Sequence, residues 1–293
     1  MAKQLRLSWD EAAGIQERAV VRGLARRKVE AIRSIGIDET AFQRRHEYVT
    51  LVRDFERAKV LWVGDDRKRE TLDAFWKTLT TEQLAGIEAV AIDMWDPYIG
   101  SVRANVPDAD EKIVFDRFHI AKHANDAVDQ VRRRENRELR ARGENWLVRT
   151  KYDWLRNPDN FSLGGWRKFL RLARRSTLRT AKAWAMKEEL NRLWDYVYVG
   201  AAERHFETWC RWVMDSSIEP MKKVARMMQR HWVGIRTYFK LPITNAASEG
   251  GNSGIQQIKR RACGYRNRHR FRIAIYFHQG GLDLYPGSLA RTQ

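Results

Sequence analysis

Apolar positions change period along the chain and divide it into helix-like and strand-like runs. Over residues 5–33, Ile15, Ala19 and Leu24 recur at helical spacing, and Ser8 with Glu11 three residues on makes a capping box, so this stretch reads as a helix. At Ser34-Ile-Gly-Ile-Asp-Glu39 the period becomes two. Ile35 and Ile37 mark one face of a short strand that carries Asp38 at its far end. Residues 48–55 and 59–63 are β-rich runs around a tight Glu56-Arg57-Ala58 turn, which predicts an antiparallel three-stranded meander. Residues 69–84 then form one amphipathic helix, with Leu72, Phe75, Trp76 and Leu79 on a side, leading into an apolar strand that ends at Asp93. A strand reached through a helical crossover is buried and parallel to its neighbour. Pro97 opens a further helix over 97–105, and Ile113-Val114-Phe115 is a fifth short strand running into Asp116-Arg-Phe-His119.

The order β-β-β-α-β-α-β resembles the ribonuclease H fold: an α/β architecture with a mixed sheet flanked by helices. After Ile120 strand-like runs vanish until Ile273. Between them Ile120, Ala124, Val128 and Val131 keep helical spacing, and Trp146, Trp154, Trp166, Trp184, Trp194, Trp209 and Trp212 read mainly as core residues. The sheet is therefore expected to be interrupted by a large all-helical insertion over 120–238. The expected division is a helical segment 1–33, a first core part 34–119, the insertion, a last core part 239–281 and a tail 282–293.

Charge adds a partner. The chain carries +18 at an isoelectric point near 10.2, and with no membrane-length apolar run or lipidation motif a nucleic acid is the first candidate. The excess is local. Residues 117–192 hold 20 Lys and Arg against 9 Asp and Glu, a net +11 in about a quarter of the chain. The one-signed groups Arg132, Arg133, Arg134 and Arg171, Arg174, Arg175 suggest a phosphate track, and Lys259, Arg260 and Arg261 add a second basic group downstream. The competing reading makes them solvated helix-face residues paired with Glu135 and Glu138. Cys210 and Cys263 lack metal-ligand spacing and read as reduced thiols of a cytosolic protein.

Candidate chemistry rests on carboxylates. Asp38 and Asp93 each end an apolar strand, and Glu249 sits in a Gly-rich polar segment. A lone Asp at a strand end is ordinarily a turn residue, but three acids arriving from separate elements would make a metal site. Read as a helix, the last segment puts Asn245, Glu249, Asn252 and Gln256 on one polar face with Lys259 nearby. Gly250, Gly251 and Gly254 would then mark close backbone approaches, and a loop is the alternative.

On these residues the chain resembles the bacterial insertion-sequence transposases of the ISL3 group. The similar stretches are Gly36-Ile-Asp-Glu39, Tyr48-Val-Thr with Asp54, Ala91-Ile-Asp-Met-Trp-Asp-Pro-Tyr98, Val114-Phe-Asp-Arg-Phe-His119, Asn245-Ala-Ala-Ser-Glu-Gly-Gly-Asn252 and Ile258-Lys-Arg-Arg-Ala-Cys-Gly-Tyr265. The resemblance implies a catalytic Asp38–Asp93–Glu249 triad holding two Mg²⁺ ions, with Mn²⁺ as a substitute. It also implies a secondary role for Asp116 and His119, beside Asn245 and Asn252 of the polar stripe. Implied partners are DNA, as terminal inverted repeats and target, and a second copy of the chain in a homodimer on paired ends. The implied reaction is cleavage of transposon ends followed by strand transfer. A non-catalytic DNA-binding regulator and a nuclease without strand joining are the alternatives. Such transposases usually begin with a zinc ribbon and a helix-turn-helix. Here only residues 5–27 resemble the end of that region, so the expectation is a shortened copy or a catalytic core.

Overall fold

The computed structural model describes residues 7–28, 30–43, 47–174, 178–241, 243 and 246–286, with 246–252 described by their backbone alone. In chain order the first elements are α1 (Trp9–Ala25), β1 (Ser34–Gln43), β2 (Glu47–Asp54), β3 (Lys59–Gly64), α2 (Arg69–Trp76), α3 (Thr81–Ala85), β4 (Ala89–Ile92), α4 (Asp96–Asn105), α5 (Ala109–Lys112) and β5 (Ile113–Phe115). A helical stretch follows: α6 (Arg117–Ala141), α7 (Lys151–Leu155), α8 (Leu163–Ala173), α9 (Arg179–Asn191), α10 (Val199–Met214), α11 (Glu219–Arg230) and α12 (Trp232–Thr237). The chain closes with α13 (Ala246–Arg261) and α14 (Arg268–Gln279). It falls into two compact units, one of residues 1–115 with 243–293 and one of residues 116–242.

The first unit is built on a five-stranded sheet of order β3-β2-β1-β4-β5. β1, β2 and β3 pair antiparallel, while β4 runs parallel to β1 and β5 parallel to β4. This is the α/β, ribonuclease H-like arrangement that the element order implies. All four residues of β4 are buried, as expected of a parallel strand covered on both faces. Strand alternation sorts the two faces. Gly36, Asp38, Thr40 and Phe42 of β1 share a face with Val49 and Leu51 of β2, and α1, α13 and α14 cover it through Val20, Ile255, Phe271 and Ile275. On the opposite face Thr50 meets the Tyr98 hydroxyl of α4 at 2.8 Å, and Trp62 packs on Phe75 of α2 at 6.0 Å between ring centroids.

Three expected elements take another form. The first helix does open at Ser8 with the Ser8–Glu11 capping box, but it ends at Ala25. Arg27 leaves it to donate to the carbonyls of Leu61, Val60 and Gly280, and Arg22 and Arg26 hold those of Leu284 and Tyr285. Arg22, Arg26 and Arg27 are thus bound within the unit. The single helix expected over 69–84 is two, because Thr80 caps a new helix by accepting from Gln83 N while the Gln83 side chain accepts from Thr80 N. The strand-like run at Ile273 is helical. Asn267 caps α14 by accepting from Arg270 N, and apolar Phe271, Ile273, Ala274, Ile275 and Tyr276 serve a wide buried helical face rather than an alternating one.

The second unit is all helix among its described residues. α6 packs against α7, α9 and α11. Its buried Glu135 accepts from the backbone N–H of Arg179 and of Thr180, both at 2.7 Å, so a carboxylate of α6 caps the start of α9. Trp154, Trp166, Phe169 and Trp184 form an aromatic cluster with centroid separations of 5.0–6.3 Å. Trp209 is also buried, whereas Trp146 and Trp212 are exposed and lie outside the core expected of them.

Candidate active site

β1 runs on past Asp38 to Gln43, so the strand expected to end at that acid holds it midway, while Asp93 follows β4 directly. The parallel register pairs Ser34 with Ala89, Ile35 with Val90 and Gly36 with Ala91. Carried two residues further, the same offset sets Asp38 beside Asp93, on strands that lie about 4.8 Å apart. Both acids are half-buried, and each fixes one carboxylate oxygen on the next backbone amide: Glu39 N donates to Asp38 Oδ1 at 2.7 Å and Met94 N to Asp93 Oδ1 at 2.6 Å.

Further charges surround the pair. Arg53 is buried on β2 opposite Gly36, on the face of Asp38, and donates to Gln279 Oε1 at 2.7 Å. Burial holds its guanidinium below the ordinary arginine range, and the Asp38 charge pulls the other way. Glu39 points to the opposite face, where Arg67 reaches it at 3.2 Å. Burial pushes the Glu39 carboxyl above its usual range. Arg67 opposes that shift, and the charges of Asp38 and Asp93 reinforce it. The Tyr98 phenol is also driven up by burial. Sequence reading passed over Arg53, although its signal was available: alternation puts this arginine on the inward side with Val49 and Leu51.

The third acid lies on α13. Glu249 falls within that helix, as does Asn252, and their side chains, like the whole of Asn245, lie outside the described residues. Later on the helix, Gln256 Nε2 donates to Thr40 Oγ1 at 3.1 Å and Lys259 Nζ to the Ala41 carbonyl at 2.7 Å. Gly254 explains itself by packing, since a Cβ there would stand 2.1 Å from Gln279 Nε2. Among the described residues no three His, Cys, Asp or Glu side chains gather as a metal-binding group. The described donors, Asp38 and Asp93, are oxygen-only and suit a hard divalent cation.

Asp116 and His119 belong to the second unit. Asp116 caps α6 by accepting from Phe118 N at 2.6 Å, and His119 Nδ1 lies 3.3 Å from its Oδ2. The residues of the expected phosphate track differ in exposure. Arg132 is buried, its Nε and Nη2 at 2.9 and 2.7 Å from Asp129 Oδ1. Arg133 and Arg134 are exposed, pairing with Asp129 at 3.2 Å and Glu138 at 3.3 Å. Arg171, Arg174, Arg260 and Arg261 are exposed, Lys259 is partly buried on Ala41, and Arg175 lies outside the described residues.

The strand order, with three antiparallel strands and two parallel ones, defines a ribonuclease H-like protein. The profile of the ISL3 transposase family, a DDE group, matches residues 35–275, and the chain belongs to that family. Among its relatives is the transposase for insertion sequence element IS1001 of Bordetella parapertussis, 31% identical over 255 residues, which cover 83% of this chain and 60% of that protein. The transposase for insertion sequence element IS1557 of Mycobacterium tuberculosis is 26% identical over 259 residues, 80% of this chain and 57% of that protein. The chain thus spans about three fifths of the length of these relatives. Among the described residues no helix is long and apolar enough to cross a membrane.

Proposed function

We propose that this chain carries the catalytic part of a DNA transposase, cutting transposon ends and joining the freed 3′-hydroxyl to target DNA. The observation behind this reading is the course of α13 along β1. Gln256 bonds Thr40 and Lys259 bonds Ala41, so helix and strand advance in the same direction. Seven residues back from Gln256, about 10 Å along the helix, is position 249. Two residues back from Thr40, about 7 Å along the strand, is Asp38, on the same sheet face as Thr40. This course of helix and strand supports reading Glu249 as the third acid beside Asp38 and Asp93.

Asp38, Asp93 and Glu249 are the residues that would hold two Mg²⁺ ions, with Mn²⁺ as a substitute. Such ions supply charge neutralisation to the attacking and leaving oxygens of an in-line displacement. Asp38 and Asp93 would present those ions to the scissile phosphate, each with one carboxylate oxygen fixed by the amide of the next residue, Glu39 or Met94. In the first step a water oxygen bonds phosphorus and the P–O3′ bond breaks, leaving a 3′-hydroxyl and a 5′-phosphate. In the second, that 3′-hydroxyl oxygen bonds a target phosphorus and the target's own 3′-oxygen leaves. Each step exchanges one P–O bond for another, and no covalent enzyme intermediate is needed.

Exposed Arg133, Arg134, Arg171, Arg174, Arg260 and Arg261 supply phosphate contacts to terminal repeats and target, sequence-independent in kind. Asp116 and His119 are secondary to the three acids, with Asp116 capping α6. Two ends must meet in one reaction, which calls for a homodimer. A gel assay with pre-cut transposon ends, target DNA and Mg²⁺ tests the reading: joined products are expected. Hydrolysis without joining would make the protein a nuclease, and binding without either would make it a regulator.

A further inference from the structure

A concavity opens on the sheet face that Glu39 occupies. Its volume is about 470 Å³, within the ~300–1,000 Å³ typical of small-ligand sites. Tyr48, Arg67 and Trp95 line it, and the Arg67 guanidinium lies 4.8 Å from the ring centroid of each aromatic. Trp95 is 38% exposed yet held in place: Trp95 Nε1 donates to the Arg67 carbonyl at 3.4 Å, and Trp95 N to the Asp93 carbonyl at 2.8 Å. Arg67 is held in turn by Glu39 at 3.2 Å. Lys68 and Arg69 line the rim together with the acids Asp66 and Glu70 and with Pro97; Lys68 is largely exposed and 3.6 Å from Asp66, and Arg69 is half-exposed and 3.6 Å from Asp73.

A fixed, exposed indole backed by a cation, with two further cations at the rim, has the composition of a site that stacks a base and holds its phosphate. Core packing does not account for it, because the ring is left open to solvent. The concavity is tied to both acids through neighbours in sequence, as Trp95 follows Asp93 by two residues and Arg67 is anchored to the residue after Asp38. We propose that it takes one unpaired nucleotide of the DNA strand whose phosphate is presented to Asp38 and Asp93, with the base stacked on Trp95 and its phosphate met by Lys68 or Arg69. The assignment of the strand rests on the transposase reading above; the nucleotide site itself does not.

The test uses the full chain in EDTA, where no metal-dependent reaction runs. The probe is single-stranded hexathymidylate, with one thymine replaced by 5-iodouracil for photochemical cross-linking. The expected result is a cross-link in the peptide holding Trp95 or Tyr48, and an affinity that falls about tenfold in Trp95→Ala. Trp95→Tyr should keep most of the affinity. Cross-links confined to other peptides, no binding, or equal affinity of Trp95→Ala and parent would overturn the proposal. If Trp95→Ala does not fold, the cross-link map of the parent decides alone. A chain that cross-links through Trp95 but neither cleaves nor joins DNA in Mg²⁺ keeps the nucleotide site and loses the transposase reading. One that joins DNA without engaging Trp95 does the reverse.

Discussion

Arg132 turns its guanidinium onto Asp129, Nε at 2.9 Å and Nη2 at 2.7 Å from one carboxylate oxygen, with both side chains nearly closed off from solvent. Its neighbours behave differently: Arg133 and Arg134 are 65% and 74% exposed, so their own ion pairs contribute little to stability. Replacing Arg132 by Ala strips a buried carboxylate of one of its two arginines and should cost about 2 kcal/mol of folding stability, read by urea denaturation. The Arg133→Ala/Arg134→Ala double variant should fold as the parent does and flatten the plot of log affinity against log salt on duplex DNA by up to about two units. Equal denaturation midpoints for Arg132→Ala and parent would contradict the first expectation. An unchanged salt slope would move the phosphate track elsewhere.

Asp38→Asn, Asp93→Asn and Glu249→Gln should each abolish strand cleavage in Mg²⁺ while leaving DNA affinity nearly as in the parent. A lost metal ligand removes the chemical step, whereas affinity comes from phosphate contacts elsewhere. The measurement pairs a cleavage gel with a binding isotherm for each variant. Any of the three that still cleaves at close to the parental rate leaves the triad.

Much of this arrangement is legible in the sequence because it depends on short-range periodicity. The meander, the crossover strand ending at Asp93 and the fifth strand at Ile113 follow from alternation and from Pro97, and all three stand where the pattern puts them. What escaped is decided by partners distant in the chain. Arg132 reads as a surface charge until α6 is packed on α9 and α11, and Ile273 reads as strand until the sheet beneath α14 demands a broad apolar face. Arg27 looks like one more basic helix residue, and only the edge of β3 gives its donors their carbonyls. Glu135 resembles a solvated partner for nearby arginines, yet the free amides at the start of α9 claim it.

Gly254 lies where α13 crosses the amide of Gln279, whose Oε1 accepts from buried Arg53 at 2.7 Å. A methyl group there displaces Gln279, so Gly254→Ala should lose the Arg53 hydrogen bond and about 1–2 kcal/mol, outweighing the ~1 kcal/mol that Ala gains over Gly in a helix interior. In a Gln279→Ala background the obstacle is gone, and Gly254→Ala should become neutral or stabilising. A double-mutant cycle by chemical denaturation measures the coupling, and additive effects would show that Gln279 is not the obstacle.

The two cysteines should separate by reactivity. Cys263 is exposed, while Cys210 is buried in α10, where burial, aided by the charge of Glu207, pushes its thiol up to about 12. Because the thiolate is the nucleophile, the native chain at pH 8 should present one rapidly reacting thiol to a disulfide reagent and the unfolded chain two. The same shift sets a pH dependence. Above the ordinary cysteine value of about 8.5 the unfolded chain releases a proton that the folded chain retains, so the unfolded state binds fewer protons and stability falls as pH rises from about 9 toward 12. The contribution of this one group has a slope approaching 1.4 kcal/mol per pH unit within that window. Cys210→Ala should remove that contribution and flatten the alkaline decline relative to the parent in denaturation curves at pH 8, 9 and 10. Two fast thiols in the native protein, or identical alkaline slopes for parent and variant, would show that Cys210 is not shielded.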